Sequence, residues 1–248
     1  MSGHSKWATI KHKKGALDAK RGAMFTKVIK EITVAAKNGG GNPDSNPRLR
    51  TALAKAKECN CPADNIDRAI KKGTGELPGV VYEEQTYEGY GPAGVAILIE
   101  ALTDNKNRTT SEIRNILEKK GGSMSGAGSV AWQFQKKGLL VVKRTSADEE
   151  KLMSIALDAG ASDFTSEKDN FEIVTEPQDF ENVKKAITDA KISTESAEIT
   201  RIPSAMVKVG LNEAKTALAL IEALEDHDDV QNVYSNIDVS DEVLQQLG

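Results

Sequence analysis

The side chains able to engage a polyanion gather at one end of the chain. Lys6, Lys11, Lys13, Lys14, Lys20, Arg21, Lys27 and Lys30 stand against Asp18 alone within the first thirty residues, a net of +7. His4, Trp7 and His12 are set among them. A strip of cations neutralises phosphates and releases counterions, while an indole or imidazole plane stacks on an unpaired base. The mixture suits nucleic acid better than a partner recognised by charge alone. The competing reading has Trp7 and Ile10 packing this segment onto the rest of the chain. Lys20, Arg21, Lys27, Arg48 and Arg50 continue the candidate surface onto helices.

Other constellations point to nothing catalytic. Gly89-Tyr90-Gly91-Pro92-Ala93-Gly94 matches the spacing of a dinucleotide fingerprint, but that motif must open a helix. Here Val95-Ala96-Ile97-Leu98-Ile99 follows, a strand pattern, and Pro92 lacks the backbone donor that a phosphate cradle needs, so a turn is expected. Lys-Lys-Gly occurs four times, ending at Gly15, Gly73, Gly121 and Gly138, and at Gly73 and Gly121 it reads as helix capping. His227-Asp228-Asp229 has metal-like residue types but no convergent second element, which favours a solvated helix end. Cys59 and Cys61 are too few for a four-ligand zinc site and too close for an ordinary bridge; incidental thiols are favoured over a redox or metal role. No nucleophile elbow, P-loop or zinc-protease motif is present. The expectation is a binding protein, not an enzyme, with no metal, cofactor or small-molecule substrate.

The elements that must position the basic residues follow from periodicity. Residues 14–37 carry Leu17, Phe25, Val28, Ile29 and Ile32 at helical spacing, and Gly39-Gly40-Gly41 ends the helix. Asn46-Pro47 caps a second helix over 48–58, and a third begins near Pro62 and closes at Lys71-Lys72-Gly73. Residues 73–79, GTGELPG, read as an exposed linker. Strands are expected over 80–88, 94–102 and 129–135, the last with Val130, Trp132 and Phe134 alternating onto one face, and a helix over 108–120. From Gly138 the order is strand, helix, strand, strand, helix, strand, the ferredoxin-like plan. Residues 204–248 offer a strand, a helix over 212–225 and a strand over 230–236, too little for a core of their own.

The resulting expectation is an α+β chain of three domains. Residues 1–76 are a basic tail and a three-helix domain, 80–137 plus 204–248 a discontinuous α/β domain, and 138–203 an inserted ferredoxin-like βαββαβ domain. Charge follows this plan: residues 1–76 carry a net of +9, leaving −13 on the remainder of a 248-residue chain whose total is −4. Hydrophobic residues at 39% and charged residues at 28% exclude a disordered or fibrous chain. Aromatics at 4% disfavour a deep cofactor pocket. No apolar run reaches the roughly 20 residues of a membrane span, and no secretory signal is evident, so cytoplasm is expected.

Several longer motifs are recognisable together. Gly3-His4-Ser5-Lys6-Trp7, Ile10-Lys11-His12-Lys13-Lys14, Asp18-Ala19-Lys20-Arg21, Phe25-Thr26-Lys27, Asn46-Pro47-Arg48-Leu49-Arg50, Tyr87-Glu88-Gly89-Tyr90-Gly91-Pro92 and Asp104-Asn105-Lys106-Asn107-Arg108-Thr109 resemble the YebC/PmpR family. The resemblance continues through Gly128-Ser129-Val130-Ala131 to Ile202-Pro203. It implies a helical N-terminal domain and two α/β domains. In function it implies a regulator of gene expression: bacterial members are described as DNA-binding transcriptional regulators. Related members, some of them mitochondrial, act in translation at the ribosome and assist synthesis through proline-rich stretches. The implied partners are DNA, ribosomal RNA or both, and a basic strip meets either by the same electrostatics.

Overall fold

The computed structural model describes residues 19–247. Three helices come first, α1 (Ala19–Gly39), α2 (Pro47–Glu58) and α3 (Ala63–Thr74). They bury one stripe each: Val28, Ile32 and Ala35 of α1, Leu49, Ala52 and Ala56 of α2, and Ala69 of α3 share a core with Cys59 and Cys61. Asn46 joins two of them. Its carboxamide oxygen accepts from the Leu49 N–H at 3.0 Å and its Nδ2 donates to the Ala35 and Gly40 carbonyls, each at 2.8 Å. One side chain thereby satisfies the end of α1 and the start of α2.

The third helix runs past the expected stop. It continues through Lys71-Lys72-Gly73 to Thr74 and is closed by Gly75, whose φ of 85° is left-handed. Gly73 instead serves helix packing, since a Cβ there would lie 2.4 Å from the Thr33 carbonyl oxygen and 2.7 Å from the Ala36 Cβ. The absent side chain lets α3 press against the backbone of α1.

The chain continues through β1 (Glu83–Tyr90), β2 (Ala96–Thr103), α4 (Lys106–Lys119) and β3 (Ser123–Ser125). Next come β4 (Phe134–Lys143), α5 (Glu149–Asp158), β5 (Ala161–Ser166), β6 (Asn170–Thr175), α6 (Phe180–Asp189) and β7 (Ser196–Pro203). The last elements are β8 (Val207–Lys208), α7 (Leu211–Glu225), β9 (Val230–Ser235), β10 (Ile237–Asp238) and α8 (Asp241–Leu247). These elements and the helices divide into two compact units. One holds residues 19–131, Val209–Ser235 and residues 242–247; the other holds Trp132–Lys208 and Asn236–Asp241.

In the first unit the sheet order is β3-β1-β2-β9, all antiparallel, so a strand from near the chain's end completes a sheet begun near residue 83. The glycine-rich segment is a strand end and a turn: Pro92–Gly94 form a single 3-10 turn and the Gly91 N–H donates to the Val95 carbonyl at 2.8 Å, delivering the chain into β2. No helix follows it.

In the second unit the order is β5-β6-β4-β7, the antiparallel ferredoxin-like arrangement. Leu140, Val142, Phe171 and Ile173 bury the sheet face against Leu152 and Ala156 of α5 and Phe180, Val183 and Ile187 of α6. Two expectations are corrected here. The strand over 129–135 is absent: Ala131–Gln133 form a 3-10 turn and the strand starts at Phe134. Gly138 begins no new strand but sits within β4, paired with Thr175 and Ile199. A Cβ at Gly138 would lie 2.3 Å from Thr175 Oγ1 and 2.6 Å from Phe180 Cδ2, so this glycine permits close packing of α6 on the sheet. The fold is α+β, with an N-terminal domain that has three helices among the described residues, a mixed α/β domain completed by the C-terminal segment and an inserted ferredoxin-like domain.

Candidate nucleic-acid interface

The expected interface residues fall into three groups. His4, Lys6, Trp7, Lys11, His12, Lys13 and Lys14 lie outside the described residues. Lys20 and Arg21 belong to the first turn of α1, and their side chains also lie outside the description. The other three are placed. Lys27 is half-buried and its ammonium donates to the Glu225 carbonyl at the C-terminal end of α7, where the helix dipole concentrates negative charge. Arg48 donates through Nε and Nη2 to both oxygens of Glu31 at 2.7 and 3.2 Å, and through Nη1 to Glu84. The Glu31 hydrogen bond, opposed by burial and aided by Glu84, holds the Arg48 guanidinium above its usual range. Arg50 is exposed, with a long 3.5 Å contact to the Pro43 carbonyl.

The structure adds exposed cations that the sequence motifs do not include, Lys55 and Lys57 on α2 and Arg68 and Lys72 on α3. Helical spacing could have found them. Arg50 and Lys57 are seven residues apart, Arg68 and Lys72 four, so each pair lies along one outward stripe.

The expected solvated end at His227-Asp228-Asp229 is instead a buried polar junction. Asp229 is 3% exposed and Lys30 7%. Asp229 Oδ1 accepts from the Lys30 ammonium at 2.5 Å. Its Oδ2 accepts from Arg108 Nη2 at 2.7 Å and from the Thr109 hydroxyl at 2.6 Å. Lys30 also donates to the Asp228 carbonyl at 3.1 Å and lies over the Tyr82 ring at 5.6 Å. Burial works against the Asp229 charge, but the hydrogen bonds from Lys30, Thr109 and Arg108 outweigh it and hold the carboxyl well below the usual carboxylate range. The convergent second element that the sequence lacks is supplied by α1 and α4.

Glu112, His227 and Asp229 bring ligand-type atoms within 4.8 Å of one another, yet their bonding does not fit a metal. His227 Nδ1 accepts the Asp229 backbone N–H at 3.1 Å, which places the ring proton on Nε2, 2.9 Å from Glu112 Oε2. Neither ring nitrogen has a lone pair to offer, and both Asp229 oxygens already face cations.

A second buried carboxylate shapes the Gly126-to-Ala131 segment. Glu88 accepts from the backbone N–H groups of Gly128, Val130 and Ala131 at 2.7, 2.6 and 2.9 Å. Burial opposes its charge, and these bonds prevail, keeping the carboxyl below its ordinary value. The Tyr90 hydroxyl donates to the Ser129 carbonyl at 3.2 Å. Glu88 is thus an internal anion in a nest of backbone donors, not a free acid or base.

Among the described residues, no helix is long and apolar enough to cross a membrane. A protein from Acidobacterium capsulatum, "Probable transcriptional regulatory protein", is 60% identical over 96% of this chain and 97% of its own length. Proteins named in the same way from Desulforapulum autotrophicum and Geobacter sulfurreducens are each 58% identical over the full length of both chains. The crystal structure of a conserved hypothetical protein from Aquifex aeolicus superposes with a TM-score of 0.80 at 44% identity, covering 92% of this chain and 94% of that one. Residues 5–76 match the model of the TACO1/YebC protein N-terminal domain, and residues 82–237 that of the TACO1/YebC second and third domain. With both models satisfied in order along one chain, this protein belongs to the TACO1/YebC family.

Proposed function

We propose that this chain regulates gene expression by binding nucleic acid, with DNA as the first expectation, through its basic N-terminal segment and the outer faces of α2 and α3. The observation that carries the reading is the charge of residues 1–76, a net of +9, with Arg50, Lys55, Lys57, Arg68 and Lys72 exposed on the helices. The names of the relatives, probable transcriptional regulatory proteins, support the regulatory role. The reading is one of binding rather than catalysis, in the cytoplasm, without a cofactor. Its contact set is His4, Lys6, Trp7, Lys11, His12, Lys13, Lys14, Lys20, Arg21 and Arg50, joined by the exposed Lys55, Lys57, Arg68 and Lys72, with Lys27 and Arg48 contributing only where their internal partners release them.

Deleting residues 2–14 tests it. The truncation removes four lysines, Trp7 and both N-terminal histidines. The slope of log affinity against log salt should fall in magnitude by roughly 3 to 4 units on duplex DNA, with the fold intact by circular dichroism. Repeating the titration with ribosomal RNA, and sedimenting lysate with and without RNase, decides between DNA and ribosomal RNA. Unaltered affinity of a folded truncation for both polymers refutes the N-terminal segment as the contact.

A further inference from the structure

The geometry points to a phosphate site formed by Arg48 and Asn38, which the carboxylate of Glu84 fills until a backbone phosphate of nucleic acid displaces it. The inference rests on the nucleic-acid binding proposed above and assigns one of its contacts. Arg48, Asn38 and Glu84 all belong to the first compact unit.

Arg48 is not a free cation, and its two partners hold it differently. Glu31, on α1, takes Nε and Nη2 through both carboxylate oxygens, at 2.7 and 3.2 Å. That pairing is bidentate, lies among the three helices and fixes the plane of the guanidinium. Nη1 is left for a partner outside them. It donates to Glu84 Oε1, which also accepts from Asn38 Nδ2 at 3.4 Å. Two donors, one from α1 and one from α2, thus converge on a single oxygen of a carboxylate carried by β1. An anionic oxygen that receives a guanidinium and an amide N–H is the arrangement a phosphodiester oxygen takes as readily as a carboxylate oxygen does.

Exposure makes this partner exchangeable. The Glu84 side chain is 54% exposed and that of Arg48 38%, and a solvated ion pair of this kind is held by a factor of only about 5 or less. The Lys30–Asp229 pair, buried on both sides, has no such freedom. The next cation selects the ligand. Lys55 is exposed and lies seven residues from Arg48 on α2, two turns along the same stripe and roughly 10 Å away along the axis. A single small anion meets Arg48 alone, whereas a phosphodiester chain meets both cations, so a polymer is the ligand that outcompetes Glu84. The exchange replaces one anion by another at Arg48 and returns the Glu84 carboxylate to water.

Glu84→Ala tests the site, with Glu83→Ala as its control. Glu83 is exposed and removes the same charge one position away, and among the described residues no hydrogen bond of Arg48 goes to it. The full-length chain is titrated with duplex DNA and with ribosomal RNA. For whichever polymer the wild type binds, Glu84→Ala should tighten binding about 2- to 5-fold more than Glu83→Ala does, the factor by which Glu84 held the guanidinium. Arg48→Met should lower the magnitude of the slope of log affinity against log salt by roughly 1, one phosphate contact, and should cancel the Glu84→Ala gain in the double variant. The comparison of the two exposed glutamates stands even where Arg48→Met fails to fold. Equal affinities of Glu84→Ala and Glu83→Ala, or a gain that survives Arg48→Met, overturn this site while the N-terminal reading stands. Failure of the folded wild-type chain to bind either polymer overturns both.

Discussion

Asp229→Asn should weaken the first unit far more than an ordinary surface change, because it strands the Lys30 ammonium. Lys30 is 7% exposed, and the Asp229 carboxylate at 2.5 Å is its charged partner among the described residues. Removing one member of a buried ion pair costs about 3 to 5 kcal/mol, most of it from the charge left behind. Arg108 adds little, being substantially exposed and keeping Asp104 at 2.9 Å, and Thr109 keeps the Thr103 hydroxyl at 2.7 Å. The expected loss is therefore about 3 kcal/mol, or roughly 6 to 12 °C in the melting of this unit. Chemical denaturation followed by circular dichroism measures it. A double-mutant cycle supplies the control: Lys30→Met in the Asp229→Asn background removes the stranded charge and should recover stability. The pH dependence has a fixed sign. The folded Asp229 carboxyl lies below its unfolded value of about 3.9, so its contribution is complete above that pH and is lost as pH falls toward the folded value. The gap between wild type and variant should be flat near neutrality and close below about pH 4. A loss under about 1 kcal/mol at pH 7, or a further loss on adding Lys30→Met, refutes the assignment.

Glu88→Gln leaves one carbonyl oxygen to serve three backbone donors, and each lost charge-assisted bond is worth about 1.5 to 3 kcal/mol. Amide exchange at Gly128, Val130 and Ala131 should quicken at least about tenfold, and unchanged protection would sink the brace. In wild type the same protection should decline as pH drops below about 4.3, since the folded Glu88 carboxyl lies below its ordinary value. Gly73→Ala should cost at least about 2 kcal/mol through collision with the Thr33 carbonyl, whereas Gly75→Ala meets open space and should cost about 1 kcal/mol from its left-handed φ; the reverse order in denaturation would contradict the helix crossing. Cys59 and Cys61 are buried, and burial pushes the Cys61 thiol up, followed by the influence of Cys59. Neither should react with an aromatic disulfide reagent until the helices unfold, so prompt labelling of the native chain would contradict their placement.

Local signals were enough for much of the architecture. Asn46-Pro47 marks the start of α2, Gly39-Gly40 the end of α1, and the strand and helix periods from Leu139 to Ile202 yield the βαββαβ order seen in the second unit. Each of these depends on residues within a turn or two of one another, where propensity and period act directly. The charge asymmetry that points to a polyanion is likewise a property of composition. Tertiary structure decided how individual side chains are used. Arg48 and Arg50 stand two apart in one helix, yet Glu31 and Glu84 hold the first while the second faces solvent. Asp229 sits in a run that reads as solvated, and it is buried because Lys30, 199 residues away, and Arg108, 121 away, converge on it. Trp132 follows the alternation of a buried strand, and a single 3-10 turn reverses its direction. Period and composition report which face a residue prefers over one element, but a charge's partners and a ring's exposure depend on which distant elements fold against it, and sequence spacing carries no record of that distance.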